Sequence, residues 1–161
     1  MSELLNSMRI DDSMVIRHLN AVNDQDALDK MANLLLSKGI VKESYVSAVK
    51  EREIVYSTGL ACEDMGVAIP HTDAKYVNVQ AICVGILDEP VQFSHMGTPE
   101  VKVDVKIIFM LAIKEPHKQM EFLQALMDIF VQKGKLNLLL ETKDEKEVVS
   151  ILKKYFEDVN I

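Results

Sequence analysis

Residues 101–113, VKVDVKIIFMLAI, constrain the fold of this chain more than any other stretch. The first half alternates apolar and polar residues, the period of a pleated strand with one wet face. The second half is wholly apolar, as a strand buried on both faces requires. A strand covered on both sides needs a layer above and a layer below, and the rest of the chain must supply them. Residues 81–87 (AICVGIL) form a second continuous apolar strand. Val67, Ala68 and Ile69 make a short strand stopped by Pro70, and residues 14–19 (MVIRHL) alternate as a first strand.

Helical patterns separate these strands. A helix capped by Asp24 or Asp26 runs to about Lys38, with Ala27, Met31, Leu34 and Leu35 as its apolar stripe and Gly39 as its stop. Residues 43–53 read as a second helix with Tyr45, Val46 and Val49 inward, and Ser57-Thr58-Gly59 opens a loop. After the break at Glu115-Pro116-His117, a long helix places Met120, Leu123, Leu126, Met127, Phe130 and Val131 at helical spacing and ends at Gly134. Residues 136–140 read as a short helix. Thr142 caps a last helix, with Val148, Ile151, Leu152 and Tyr155 inward. The alternation predicts an α/β sandwich: a mixed parallel and antiparallel central sheet with helices on both faces. At 161 residues, with neither linker nor repeat, the chain is expected to be a single domain over residues 1–161, its core at about 4–156.

Composition narrows the function. A net charge of −7 without a dense Lys/Arg run argues against nucleic acid as partner. No stretch approaches 18 consecutive apolar residues, so no direct membrane insertion is expected. The polar N-terminus MSELLNSMRIDDS does not read as a signal peptide. Cys62 and Cys83 lack metal-type spacing and read as reduced, buried thiols of a cytoplasmic protein. Without a Walker A loop, a G-x-G-x-x-G or a G-x-S-x-G, the chain offers no nucleotide site, implies no cofactor and lacks the serine-hydrolase motif. Any phosphate handled here must therefore arrive on another molecule.

Sites in such folds form where strands end at their carboxyl edge. Two strands end alike, one followed by Pro70-His71 and the other by Pro116-His117. If those strands are neighbours, two histidines come to one rim. His71 has three readings. It is a solvated loop residue, or a metal ligand with Asp73, His95 and His117 as further donors, or a nucleophile. The metal reading lacks any H-x-x-x-H or H-x-H spacing. The third reading is chemically apt, because a neutral imidazole with pKa near ~6.5 attacks a phosphoryl group and later releases it. His18 and His95 match no motif.

Three separated motifs then carry a resemblance. They are Lys50-Glu51-Arg52-Glu53 with Ser57-Thr58-Gly59, Gly66-Val67-Ala68-Ile69-Pro70-His71-Thr72-Asp73, and Phe109-Met110-Leu111-Ala112 with Pro116-His117-Lys118-Gln119. In order and spacing they resemble the type-2 EIIA domains of the bacterial sugar phosphotransferase system, the fructose–mannitol family. Thr72 stands where many members have Gly or another small residue, and the segment LACEDM (60–65) is longer than in the mannitol proteins. These features lean toward the galactitol-type branch. The resemblance implies that His71 accepts a phosphoryl group from phospho-HPr through Nε2, with Nδ1 held by a backbone carbonyl. It implies transfer to a cysteine of an EIIB partner, which phosphorylates a sugar entering through the membrane component EIIC. His117 would hydrogen-bond the phosphoryl oxygens, and Arg52 would pair with phosphate or brace the loop. Related domains also serve nitrogen-type regulation as phosphorylation-switched interaction modules. Two partners reaching one nitrogen would need an open site with an apolar rim, for which Val67, Ile69 or Tyr76 are the candidates, with core packing the simpler reading of Val67 and Ile69.

Overall fold

The computed structural model describes residues 6–159. The sheet has five strands: β1 (Val15–Leu19), β2 (Gly59–Ala61), β3 (Gly66–Ala68), β4 (Ala81–His95) and β5 (Thr98–Ala112). The predicted central strand is one arm of a long hairpin, in which β4 and β5 pair antiparallel from Ala81↔Ala112 to His95↔Thr98. β1 lies parallel to β4 on the outer side, and β3 lies parallel to β5. β2 runs antiparallel to β3, and its first residue, Gly59, bridges to His95. The sheet is therefore mixed, as expected.

Two strand features escaped the sequence pattern. β4 continues eight residues beyond the apolar run, through the polar Asp88-Glu89-Pro90. The register shifts between Ile86 and Val91, so a bulge absorbs the polar residues, and Val91 and Phe93 return to the core. Gly59, read as loop, opens β2, a strand of three residues, too short to show a period.

Among the described residues the helices that cover the sheet are α1 (Asp24–Ser37), α2 (Glu43–Val55), α3 (Pro116–Phe130), α4 (Lys135–Leu140) and α5 (Glu145–Asp158). They cover both faces. Ile107, Phe109 and Leu111 point to one side, where Phe122, Leu126, Phe130, Leu152 and Phe156 of α3 and α5 pack. There Phe109 stacks near Phe130 and Phe122 meets Phe156 edge-on, each pair 5.0 Å between centroids. Ile108, Met110 and Ala112 point to the other side, against Leu28, Met31 and Leu35 of α1 and Tyr45 and Val49 of α2.

Helix ends correct several expectations. The cap of α1 is Asn23, whose side chain accepts from Asp26 N at 2.8 Å; Asp24 and Asp26 occupy the first turn. Asp144, not Thr142, caps α5, and Thr142 instead donates to Leu139 O at the end of α4. α3 ends at Phe130, before Gly134, which has positive φ and begins α4. The buried stripe of α3 is Phe122, Ala125, Leu126, Ile129 and Phe130, so Met120 and Val131 fall on the exposed side. Gly39 does stop α1: with φ at +72° it lets Ile40 N return to Leu35 O at 3.0 Å.

Among the described residues, no helix is long and apolar enough to cross a membrane. β3 sits so close to β5 that a Cβ at Gly66 would lie 2.1 Å from the Asp104 carbonyl oxygen. Backbone cannot retreat as a flexible side chain does. Gly66→Ala is therefore expected to lower unfolding free energy by about 1–3 kcal/mol, read from the urea midpoint at unchanged slope. A variant as stable as the parent would contradict that close approach.

Candidate functional site

The segment after β3 leaves the sheet between the last turn of α2 and the first turn of α3. Pro70 continues the parallel pairing one step further, accepting from Leu111 N at 3.0 Å. Leu111 is itself pinned from below, because its carbonyl accepts the buried Tyr45 hydroxyl at 2.7 Å. Both Pro-His corners therefore leave the same end of the sheet, the condition set by the sequence. They are tied together where Gln119 Nε2 donates to the carbonyl of the buried Thr72 at 3.2 Å. Thr72 thus sits inside the joint between the corners.

His71 is buried, and its Nδ1 lies 2.8 Å from Ile69 O. A carbonyl only accepts, so Nδ1 carries the proton and Nε2 keeps its lone pair. Burial lowers the His71 pKa, the Ile69 hydrogen bond opposes that shift, and the Arg52 charge adds to it. The ring is held neutral near neutral pH, with its nucleophilic nitrogen fixed by local backbone.

Arg52 lies in the last turn of α2. Its guanidinium stacks 4.6 Å from the Tyr56 ring centroid, and Nη1 is 3.7 Å from Asp73 Oδ1. Asp73 therefore turns to Arg52. Arg52 Nε is buried without a hydrogen-bond partner. An arginine beside His71 carries the charge and planar donor fork suited to phosphate oxygens. His117 follows Pro116 in the first turn of α3, exposed, with Nε2 3.4 Å from Glu115 Oε2. No three His, Cys, Asp or Glu side chains among the described residues gather as metal ligands.

One member of this site was missed. Glu53 is buried at 4% exposure and accepts from Thr58 N at 2.6 Å and Thr58 Oγ1 at 2.7 Å. The signal was present, since Tyr45, Val49 and Glu53 follow one another at four-residue intervals on the inward face of α2. Burial drives the Glu53 carboxyl up to about 7; the Thr58 bonds oppose this, and Asp24 adds to it. Val67 and Ile69 are core, as the packing reading had them, and Tyr76 is half-buried against the α1–α2 side. The exposed apolar residues bordering the site are instead Val55 and Tyr56 after Arg52, and Met120 at 70% exposure beside Gln119.

A neutral imidazole beside an arginine, at the edge of a mixed sheet where a second Pro-His corner also ends, is chemically suited to exchange a phosphoryl group. The family model for the phosphoenolpyruvate-dependent sugar phosphotransferase system, EIIA 2, matches residues 8–155, and the chain belongs to that family. It is 26% identical over 138 residues to the galactitol-specific EIIA component of Escherichia coli K12, covering 86% of this chain and 88% of the relative. It is 28% identical over 152 residues to the mannitol-specific phosphotransferase enzyme IIA component of a Staphylococcus aureus strain, covering 94% and 96%. The fold is shared with mannitol enzyme IIA of Escherichia coli in its complex with phosphorylated enzyme IIB. That match has a TM-score of 0.70 and 15% identity and covers 94% of this chain and 99% of that one.

Glu53 makes a pH signature. Its folded pKa is raised from 4.5 to about 7, so between those values the folded state binds more protons than the unfolded one. The stabilisation is full below the unfolded pKa and is lost as pH rises through the folded pKa. Relative to Glu53→Gln, the parent protein should lose up to roughly 3 kcal/mol across that window, at about 1.4 kcal/mol per unit. Urea unfolding of both proteins at several pH values measures the difference, and parallel curves would refute it.

Proposed function

We propose that this protein is a phosphocarrier that accepts a phosphoryl group from phospho-HPr on Nε2 of His71 and passes it to a cysteine of an EIIB partner. The observation that carries this reading is the Nδ1–Ile69 O hydrogen bond, which leaves Nε2 as the attacking atom beside Arg52. In the first step the Nε2 lone pair attacks phosphorus. The P–N bond to the donor histidine breaks, and its electron pair returns to the donor ring. No proton needs to move. His71 becomes a cationic phosphoimidazole that keeps its Nδ1 proton, and the hydrogen bond to Ile69 O strengthens as that charge appears. Arg52 supplies positive charge to the phosphoryl oxygens, and His117 donates a hydrogen bond to them. In the second step a partner thiolate attacks phosphorus, an S–P bond forms, and the electron pair of the broken N–P bond returns to Nε2.

The exposed Val55, Tyr56 and Met120 give two successive partners an apolar surface around one nitrogen. EIIC is reached only through EIIB, and the protein works in the cytoplasm. The sugar is proposed to be a hexitol, the class common to the galactitol- and mannitol-specific relatives, with galactitol the first to test.

Labelling with phospho-HPr tests this directly. One acid-labile, base-stable phosphate per chain is expected. His71→Ala should abolish it, Arg52→Gln should slow acceptance by roughly 10²-fold, and His117→Ala by about 10-fold. Full labelling of His71→Ala would sink the assignment. Reconstitution with EIIB and EIIC should then phosphorylate the hexitol. Labelling without transfer to any EIIB would favour the nitrogen-type regulatory role.

A further inference from the structure

Glu53 is expensive to bury and has no obvious return. Neither of its oxygens faces a cation, and the charge that reaches it is the repulsive one of Asp24. A carboxylate in such a position is tolerated only when its hydrogen bonds are complete. Here both oxygens are spent on one residue. Oε2 accepts the Thr58 backbone N–H, and Oε1 accepts the Thr58 hydroxyl. Two bonds from two rigid oxygens fix both the position and the rotation of Thr58.

From Thr58 the chain of bonds continues toward the imidazole. The Thr58 carbonyl accepts Ile69 N–H at 3.4 Å, and the Ile69 carbonyl accepts His71 Nδ1–H at 2.8 Å. Pro70 has no N–H, so nothing in that peptide competes with the histidine for local partners. On its far side Pro70 is held by Leu111 N. The carbonyl that sets the His71 tautomer is thus gripped from both directions, by the sheet at Leu111 and by Glu53 through Thr58. We propose that Glu53 is a positioning residue: through Thr58 and Ile69 it holds the His71 imidazole in the orientation and tautomer that expose Nε2. Adjacent residues of one helical turn then divide the work, Arg52 supplying charge and Glu53 supplying geometry. The proposal rests on His71 being the phosphoryl acceptor.

The test uses the full chain, uniformly labelled with ¹⁵N, and phospho-HPr as donor. The ring nitrogens of His71 report its tautomer by long-range proton–nitrogen correlation, and initial rates over a range of phospho-HPr give kcat and KM. Glu53→Leu removes both acceptors that face Thr58 at similar side-chain size. Thr58→Val removes the hydroxyl at nearly constant shape. In the parent, Nδ1 should be protonated and Nε2 bare. Both variants should show mixed tautomers, with kcat reduced roughly tenfold and KM within about twofold, because the docking surface is untouched. Thr58→Ser, which keeps both donors, should restore what Thr58→Val removes.

If both variants keep the parent tautomer and kcat and merely unfold more easily, Glu53 only stabilises the fold and the proposal is overturned. Should Glu53→Leu fail to fold, Thr58→Val decides by the same two readouts. If the parent takes no phosphate from phospho-HPr, the phosphocarrier reading fails, and the tautomer measurement still decides whether Glu53 positions the ring.

Discussion

The parallel pairing of β3 with β5 is the constraint on which the rest of the site depends. Only three residues of β3 are regular strand, yet they align Val67 with Ile107 and Ala68 with Ile108. Parallel neighbours end at the same edge, so the turns that follow them must meet there. The bond from Leu111 N to Pro70 O extends that alignment to the carboxyl edge, while at the other end the register shifts by one residue where Gly66 approaches Asp104. Gln119 can reach the Thr72 carbonyl only because both corners start from one level of the sheet. A slip by one residue would turn Val67 and Ile69 away from their core and point the histidine elsewhere.

Around that edge, burial and charge act together on protonation. Desolvation and Arg52 both disfavour a cationic His71, and the Ile69 carbonyl fixes where its one proton sits. The same helical turn buries an acid whose pKa is pushed the opposite way. These shifts have a common origin in the low polarity under the loop, since burial is the largest cause in each. The hydrogen bonds then select which form of each group is useful.

Much of this arrangement was legible in the chain, and the parts that were not have physical reasons. The apolar second half of β5 and the stripe of α1 showed themselves because long, strongly patterned segments answer to one period. The two Pro-His corners were visible as a repeated pattern, and the placement of their strands as neighbours follows from the sheet. β2 was hidden because three residues carry no period. The second half of β4 was hidden because a bulge broke the alternation at Asp88-Glu89-Pro90. Met120 was misread because a methionine near the stripe of α3 is apolar whether it faces the core or a partner. Glu53 was passed over because its charge masked its place in the stripe begun by Tyr45 and Val49. A charged residue at an inward helical position is itself a signal, and here it marks the end of α2 as part of the site.

The buried, neutral setting of His71 has a consequence for energetics as well as for attack. A pocket that disfavours a charged imidazole before reaction also disfavours the cationic ring of the proposed phosphorylated state, except where Ile69 O and the phosphate itself offset the charge. The bound group would then rest on a nitrogen that gains by shedding it. In such a cycle the protein neither traps the phosphoryl group nor spends its transfer potential, and the exchange stays reversible in both directions along the relay.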